Sequence, residues 1–387
     1  MDISRFGRKA FFALSALVTL AGAFPDAAMA SGNLRWGFVN KEGEMIIQPQ
    51  FLEAGTFSEG LAPVRTDAGW GYLDRSGKVV LEGFDEAGVF SDGLAAVKIP
   101  SSGPLVEKLG KDSAELWGFI DSSGKFVIKP QFQDAGPFRE GLAAVASGGK
   151  YGFIDRDGTF EIKPQFDLAC NFSGDRAAVL INEQTGSLSL RVGEDIYRVK
   201  GGRWYYINKK GEAEAGMFED CGAYVDKLAP VAAGKYQGTA RPDRWGFIND
   251  KGRYVIKPSF NDAHAMSEGK AAVQVGTWKC MGKGIRSWEP GKWGYVNKSG
   301  KTIIKAEFDG ADPFSEGMAA IKMNGKWGYI NEDGEIIIKP RFAGNLAFKE
   351  GLAAVVVDKS QVQDQTKVQV DDQDQDQDQN DDQDDDE

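Results

Sequence analysis

From residue 36 onward, short apolar bursts alternate with brief polar interruptions, and the bursts are too short for helices. The stretch "WGFIDSSGKFVIKPQFQDAGPFREGLAAVASGGK" at residues 117–150 carries the whole pattern. Aromatic and branched "WGFID" predicts a strand. "DSSG" supplies an Asx start and a glycine able to take positive φ, which predicts a bulged hairpin turn. "KFVIKP" reads as the return strand, ended at Pro130, which withholds its backbone donor. "QFQDAGPFREG" reads as a loop whose Phe132, Ala135 and Phe138 fill a core, and "LAAV" as a third strand. A short glycine turn then leads into the next aromatic-Gly strand, so this last hairpin crosses from one copy of the pattern into the next.

The pattern recurs eight times, headed by Trp36, Trp70, Trp117, Tyr151, Trp204, Trp245, Trp293 and Trp327. The spacings are 34, 47, 34, 53, 41, 48 and 34 residues, a floor of 34 with additions, as expected of a structural repeat carrying insertions. Seven of the nine tryptophans hold the head slot, so tryptophan is scaffold here first. On the shared phrase W-G-[FY]-[IV]-[ND]-x-x-G, followed by K-P-x-F and then E-G-L-A-A-V, the chain resembles the WG-repeat (KWG-repeat) proteins over about residues 36–357. That resemblance implies an all-β module used for interaction, with no single activity or catalytic residue set. The fifth copy departs from it: "WYYINKKGEAEAGMF" lacks the Gly and the K-P-x-F, and is similar to the "WYY" of choline-binding repeats. Gly83 and Ala306 replace the proline in the second and seventh copies.

The fold expected is therefore all-β, a tandem array of eight three-stranded repeats. The array begins on a first strand and ends on a third, "LAAVVV", and each would expose an unpaired edge. Pairing the two closes a propeller-like toroid, which is favoured over an open β-solenoid because no capping segment precedes Trp36.

The ends of the chain differ from its body. Residues 1–30 read as an export signal: Arg5, Arg8 and Lys9, then the apolar "AFFALSALVTLAGAF", then "AMA" before Ser31. That apolar run is shorter than the roughly 20 residues needed to span a bilayer, and no longer one follows. Residues 31–357 form the repeat domain, and 358–387 an Asp/Gln-rich tail whose composition predicts disorder. The net charge is −11, but the tail holds eleven acids from Asp371 on and the first thirty residues are net +1, so the body is near −1. No basic surface predicts nucleic-acid binding. The mature protein is expected to be periplasmic or extracellular, without a transmembrane segment.

Chemistry has few places to reside. His264 is the single histidine, so histidine metal clusters are excluded and a Ser-His-Asp triad has no second candidate. Glu or Asp precedes Gly at 59, 92, 140, 268, 316 and 350, and Asn or Asp recurs at 40, 74, 121, 155, 208, 249, 297 and 331. A catalytic carboxylate pair should be singular, whereas these recur in most copies, as turn residues do. Cys170 and Cys221 hold nearly corresponding positions in consecutive copies and are a candidate disulfide in an exported protein, with Cys280 left over. No cofactor or metal is expected.

Four insertions, at about 99–116, 181–203, 234–244 and 276–292, all fall between "LAAV" and the next head, which places them on one edge of the array. The last two are basic, through Lys235, Arg241 and Arg244 and through Lys279, Lys283, Arg286 and Lys292; the last also holds Trp278 and Trp288. Tryptophan beside Arg and Lys suits stacking on sugars or contact with an anionic polymer. The candidate binding residues are Trp278, Trp288, Lys283, Arg286, Lys235, Arg241 and Arg244. The function expected is a non-catalytic binding or scaffolding module for a protein partner or envelope polysaccharide. The alternatives are a glycan-active hydrolase using a carboxylate pair and a purely structural spacer.

Overall fold

The computed structural model describes residues 33–181, 188–192, 195–199, 203–218, 220–233, 244–280 and 286–358. Eight four-stranded antiparallel sheets make an eight-bladed β-propeller. Blade III shows the plan: Asp134–Ala135, Ala143–Ser147, Lys150–Ile154 and Phe160–Phe166, each paired to the next. In chain order, blade I spans 53–84, II 86–132, III 134–166, IV 168–218, V 220–260, VI 262–308 and VII 310–342. Blade VIII is made from both ends of the array. Gly344–Asn345 and Ala353–Asp358 supply its first two strands, and Leu34–Val39 and Met45–Phe51 the other two.

Closure is thus a backbone ladder. Ala353 to Asp358 pair antiparallel with Val39 to Leu34 over six positions, so the two exposed edges expected from the sequence cover each other. The blade is offset from the repeat: it joins the end of one copy to the head of the next, and every junction between copies is stitched by strand pairing.

The eight hydrophobic clusters each bridge two consecutive blades. At seven junctions the aromatic two places after the head meets a ring of the following blade. Phe119 meets Phe138 at 4.8 Å, Phe153 meets Phe172 at 4.8 Å, and Phe38 meets Phe57 at 5.0 Å across the closing junction. Each such pair adds about 0.5–1.5 kcal/mol beyond the apolar area it buries. Tyr72, Tyr206, Tyr295 and Tyr329 also donate their hydroxyls to backbone carbonyls of the next blade, at Gly88, Gly222, Asp312 and Leu346.

Two sequence expectations change. The blade has four strands where three were expected, because "QFQDAGPFREG" contains the two-residue strand Asp134–Ala135, which pairs with Ala146 and Val145 and is pinned by the flanking Gln133 and Gly136 amides donating to the Ala146 and Ala144 carbonyls. Pro130 does not end its strand, which runs Phe126–Phe132. The proline sits at a register irregularity on an edge strand, where a ladder donor is dispensable. That irregularity explains the head glycine. A Cβ on Gly152 would lie 2.4 Å from the Ile162 carbonyl oxygen and 2.7 Å from Pro164 N, and Gly37, Gly118, Gly246, Gly294 and Gly328 meet the same obstruction. In the fifth copy the constraint is inverted: Tyr205 takes the glycine position, buried, and Gly216 on the facing strand makes room for its ring.

Candidate functional site

A meander of four strands has two ends, and the chain uses them differently. The turns between first and second strands, and between third and fourth, lie at one end. The connections between second and third strands lie at the other. All four insertions occupy that second position, in blades II, IV, V and VI. In blade VIII the same position is where Asp358 faces Leu34. The insertions and the two described ends of the chain therefore share one face.

On this face the blade II insertion folds into the helix Pro104–Leu109 and a 3-10 turn, Lys111–Ser113. The blade IV insertion contains a separate hairpin, Leu188–Val192 with Asp195–Val199. The blade VI insertion lengthens the blade's own strands to Lys270–Cys280 and Arg286–Asn297. Its register sets Trp278 opposite Trp288 and Cys280 opposite Arg286. Lys283, Lys235 and Arg241 lie outside the described residues. Arg244 begins the third strand of blade V, and its guanidinium donates to the Ser259 carbonyl at 3.0 Å. The structure thus brings Trp278, Trp288 and Arg286 onto one ribbon and places Arg244 on the neighbouring blade.

The opposite face is built from acids. Each turn between first and second strands carries a carboxylate residue at left-handed φ, between 52° and 62°: Glu59, Asp92, Glu140, Asp175, Asp226, Glu268, Glu316 and Glu350. With glycine beside most of them, these are primed two-residue turns. A Glu held there costs on the order of 1 kcal/mol, and the carboxylates offset it by accepting amides of the next blade. Glu59 accepts from Gly93, Asp92 from Gly141, Glu140 from Gly174 and Asp175, and Asp226 from Gly269. Glu268 accepts from Glu316 and Gly317, Glu316 from Glu350 and Gly351, and Glu350 from Gly60. The last of these crosses the closing junction. Cations of the following blade reinforce several links: Arg75 to Glu350, Lys41 to Glu316, Lys298 to Asp226, and Lys209 to Glu140.

The chain of links is broken only between blades IV and V among the described residues. There the turn order is reversed, Gly174 before Asp175, so no carboxylate stands where the other blades hold theirs. The sequence marks these acids as turn residues, which they are. Their second role, joining blades, was not visible because each carboxylate and the amide it binds lie 34 or more residues apart.

His264 is 7 % exposed and packs on Trp293 at 5.0 Å; burial pushes its pKa down to about 4, so it is a neutral core residue. Cys170 and Cys221 are both buried, in one cluster between blades IV and V. Among the described residues, no group of three His, Cys, Asp or Glu is placed to hold a metal, and no helix is long and apolar enough to cross a membrane.

Fold and repeat together define an eight-bladed propeller assembled from WG units. The family model for the WG containing repeat matches at residues 36–68, 70–99, 117–151, 151–184, 245–276, 293–327 and 327–359. The chain belongs to the WG-repeat family. The copy headed by Trp204 falls outside the matches, as the Tyr205 and Gly216 exchange would lead one to expect. No curated protein sequence matches the chain. Among solved structures, similarity extends to a eukaryotic initiation factor (12% identity, TM-score 0.43, 79% of this chain and 95% of that one). It also extends to the acylaminoacyl peptidase of Pyrococcus horikoshii (10%, 0.41, 70% and 48%) and the tricorn protease (10%, 0.37, 84% and 36%).

Proposed function

We propose that this is an exported recognition module that binds an envelope polymer or an envelope protein through its insertion face. The observation that carries the reading is the blade VI ribbon, which extends past the blade on the face shared by all four insertions and sets Trp278 opposite Trp288 with Arg286 two positions away. Directly opposed positions of an antiparallel ladder act as a unit, and paired tryptophans flanked by cations suit a sugar face or an anionic chain. Arg244, on the neighbouring blade, and Lys283, Lys235 and Arg241, which belong to the same two basic insertions but lie outside the described residues, are proposed as further cations of the site. The repeated acids serve the scaffold through their interblade bonds, which favours binding over carboxylate-pair hydrolysis. Residues 1–30 act as a cleaved signal, and the working protein begins at Ser31.

The test is capture of envelope fractions by the chain from Ser31 onward, beside a variant with Trp278, Trp288, Lys283 and Arg286 changed to Ala. Circular dichroism establishes that both are folded. The expected result is capture by the parent and its loss in the folded variant. Equal capture by both would refute the assignment of the face.

A further inference from the structure

We propose that Cys170 and Cys221 form a disulfide that locks blade IV to blade V. The repeat itself supplies the geometry. Cys170 directly follows the first strand of its blade, its amide donating to Ala178; Asp312 holds the same position in blade VII, donating to Ala320. Cys221 is the second residue of the first strand of blade V, and Asn345 holds that position in blade VIII. At the VII–VIII junction, side chains from these two positions meet directly: Asn345 Nδ2 donates to Asp312 Oδ2 at 2.8 Å. The same two positions at the IV–V junction are both cysteine. At four other junctions they hold a glycine and an alanine, Gly55 with Ala87, Gly88 with Ala135, Gly136 with Ala169 and Gly222 with Ala263. Where the slot is filled from both sides it is filled by a complementary pair.

Two further observations converge on this junction. Both thiols lie in one buried cluster with Tyr206 and Tyr224, and the Cys170 sulfur is near enough to add to the upward push of burial on the Cys221 thiol. The IV–V junction is also the one that, among the described residues, lacks the carboxylate–amide link. Apart from the core, the described residues hold it by the Ser173 hydroxyl on the Tyr224 carbonyl at 2.7 Å, the Tyr206 hydroxyl on the Gly222 carbonyl and the Arg176 guanidinium over the Tyr224 ring. A covalent bond there restores a tie that the other junctions have by hydrogen bonding.

The oxidant is a disulfide of low molecular weight or of a thiol-oxidising protein. One cysteine thiolate displaces a thiol from it to give a mixed disulfide; the second thiolate then attacks the protein sulfur and releases the other thiol. Two protein thiols are oxidised and one external disulfide is reduced to two thiols. Because both cysteines are buried in the finished fold, the reaction belongs to assembly, before blades IV and V close on each other.

The test is refolding of the full chain from denaturant with glutathione disulfide, and in parallel with dithiothreitol. Alkylation with N-ethylmaleimide under denaturing conditions follows, then peptide mapping without reduction. The chain has three cysteines. The expected oxidised product carries one label, on Cys280, and a linked peptide joining Cys170 to Cys221. It melts on the order of 5 °C above the dithiothreitol product. A Cys170→Ala/Cys221→Ala variant, with side chains close in size to the glycine and alanine of four other junctions, folds and shows no such difference. Three labels after oxidative refolding, a link through Cys280, or a linked pair without a rise in Tm would each overturn the proposal.

Discussion

Asp312 offers a perturbation whose magnitude can be worked out in advance. Its carboxyl is fully buried at the junction of blades VII and VIII, with Oδ2 accepting from Asn345 and Oδ1 without a hydrogen-bond partner. Burial disfavours the charged form and pushes its pKa up from 3.8 to about 7. In the unfolded chain the group ionises at its ordinary value. Below that value both states are protonated and this residue costs nothing. Between it and about 7 only the folded state holds the proton, so stability falls as pH rises. Above about 7 both states are ionised and the full loss persists. At about 1.4 kcal/mol per pKa unit, the shift corresponds to roughly 4 kcal/mol at pH 8 relative to pH 3.5. Asp312→Asn removes the titration while keeping an oxygen for Asn345. The variant should be more stable than the parent at pH 8 by up to about that amount, with the difference shrinking towards zero near pH 4. Denaturant melts of both proteins at half-unit steps from pH 4 to 8.5 measure it, since the other carboxylates cancel in the difference. A parent-minus-variant difference that is flat with pH would refute the reasoning.

Other predictions follow from the strand geometry. Gly152→Ala drives a Cβ into the Ile162 carbonyl and the Pro164 nitrogen, backbone atoms that cannot swing aside. It should cost about 3 kcal/mol, read as a lower denaturation midpoint. Gly216→Ala alone should be similarly harmful, because its Cβ would lie 2.0 Å from the Tyr205 ring. With Tyr205→Gly in the same chain the two costs should fall short of their sum by about 1–3 kcal/mol in a double-mutant cycle; additive costs would contradict the exchange of roles between the two strands.

The repeat made much of this architecture readable. The aromatic-Gly heads, the hairpin turns, the core residues Phe132, Ala135 and Phe138, and the stitching hairpin all follow from local chemistry repeated in register, and the structure has them where that chemistry places them. Closure was inferable because two strands were left over. The first strand of each blade was not, since Asp134–Ala135 is two residues long and has no alternation to read. Pro130 was misjudged because a donor missing from an edge strand costs little, and edge position is a property of the sheet. The carboxylate links were hidden for the same reason: Glu350 and Gly60 lie at opposite ends of the array and meet only when the toroid closes. The position of the insertions was legible from their common phase, whereas the ligand of a surface ribbon depends on side chains that no repeat constrains.

Amide hydrogen exchange tests the closed toroid, on which the shared face and the interblade links depend, most directly. If Leu34–Val39 and Ala353–Asp358 are paired as described, their ladder amides should exchange as slowly as those of Ala143–Ser147, which is paired on both sides. Exchange of either segment at the rate of an exposed edge, while Ala143–Ser147 stays protected, would show an open array and contradict the account.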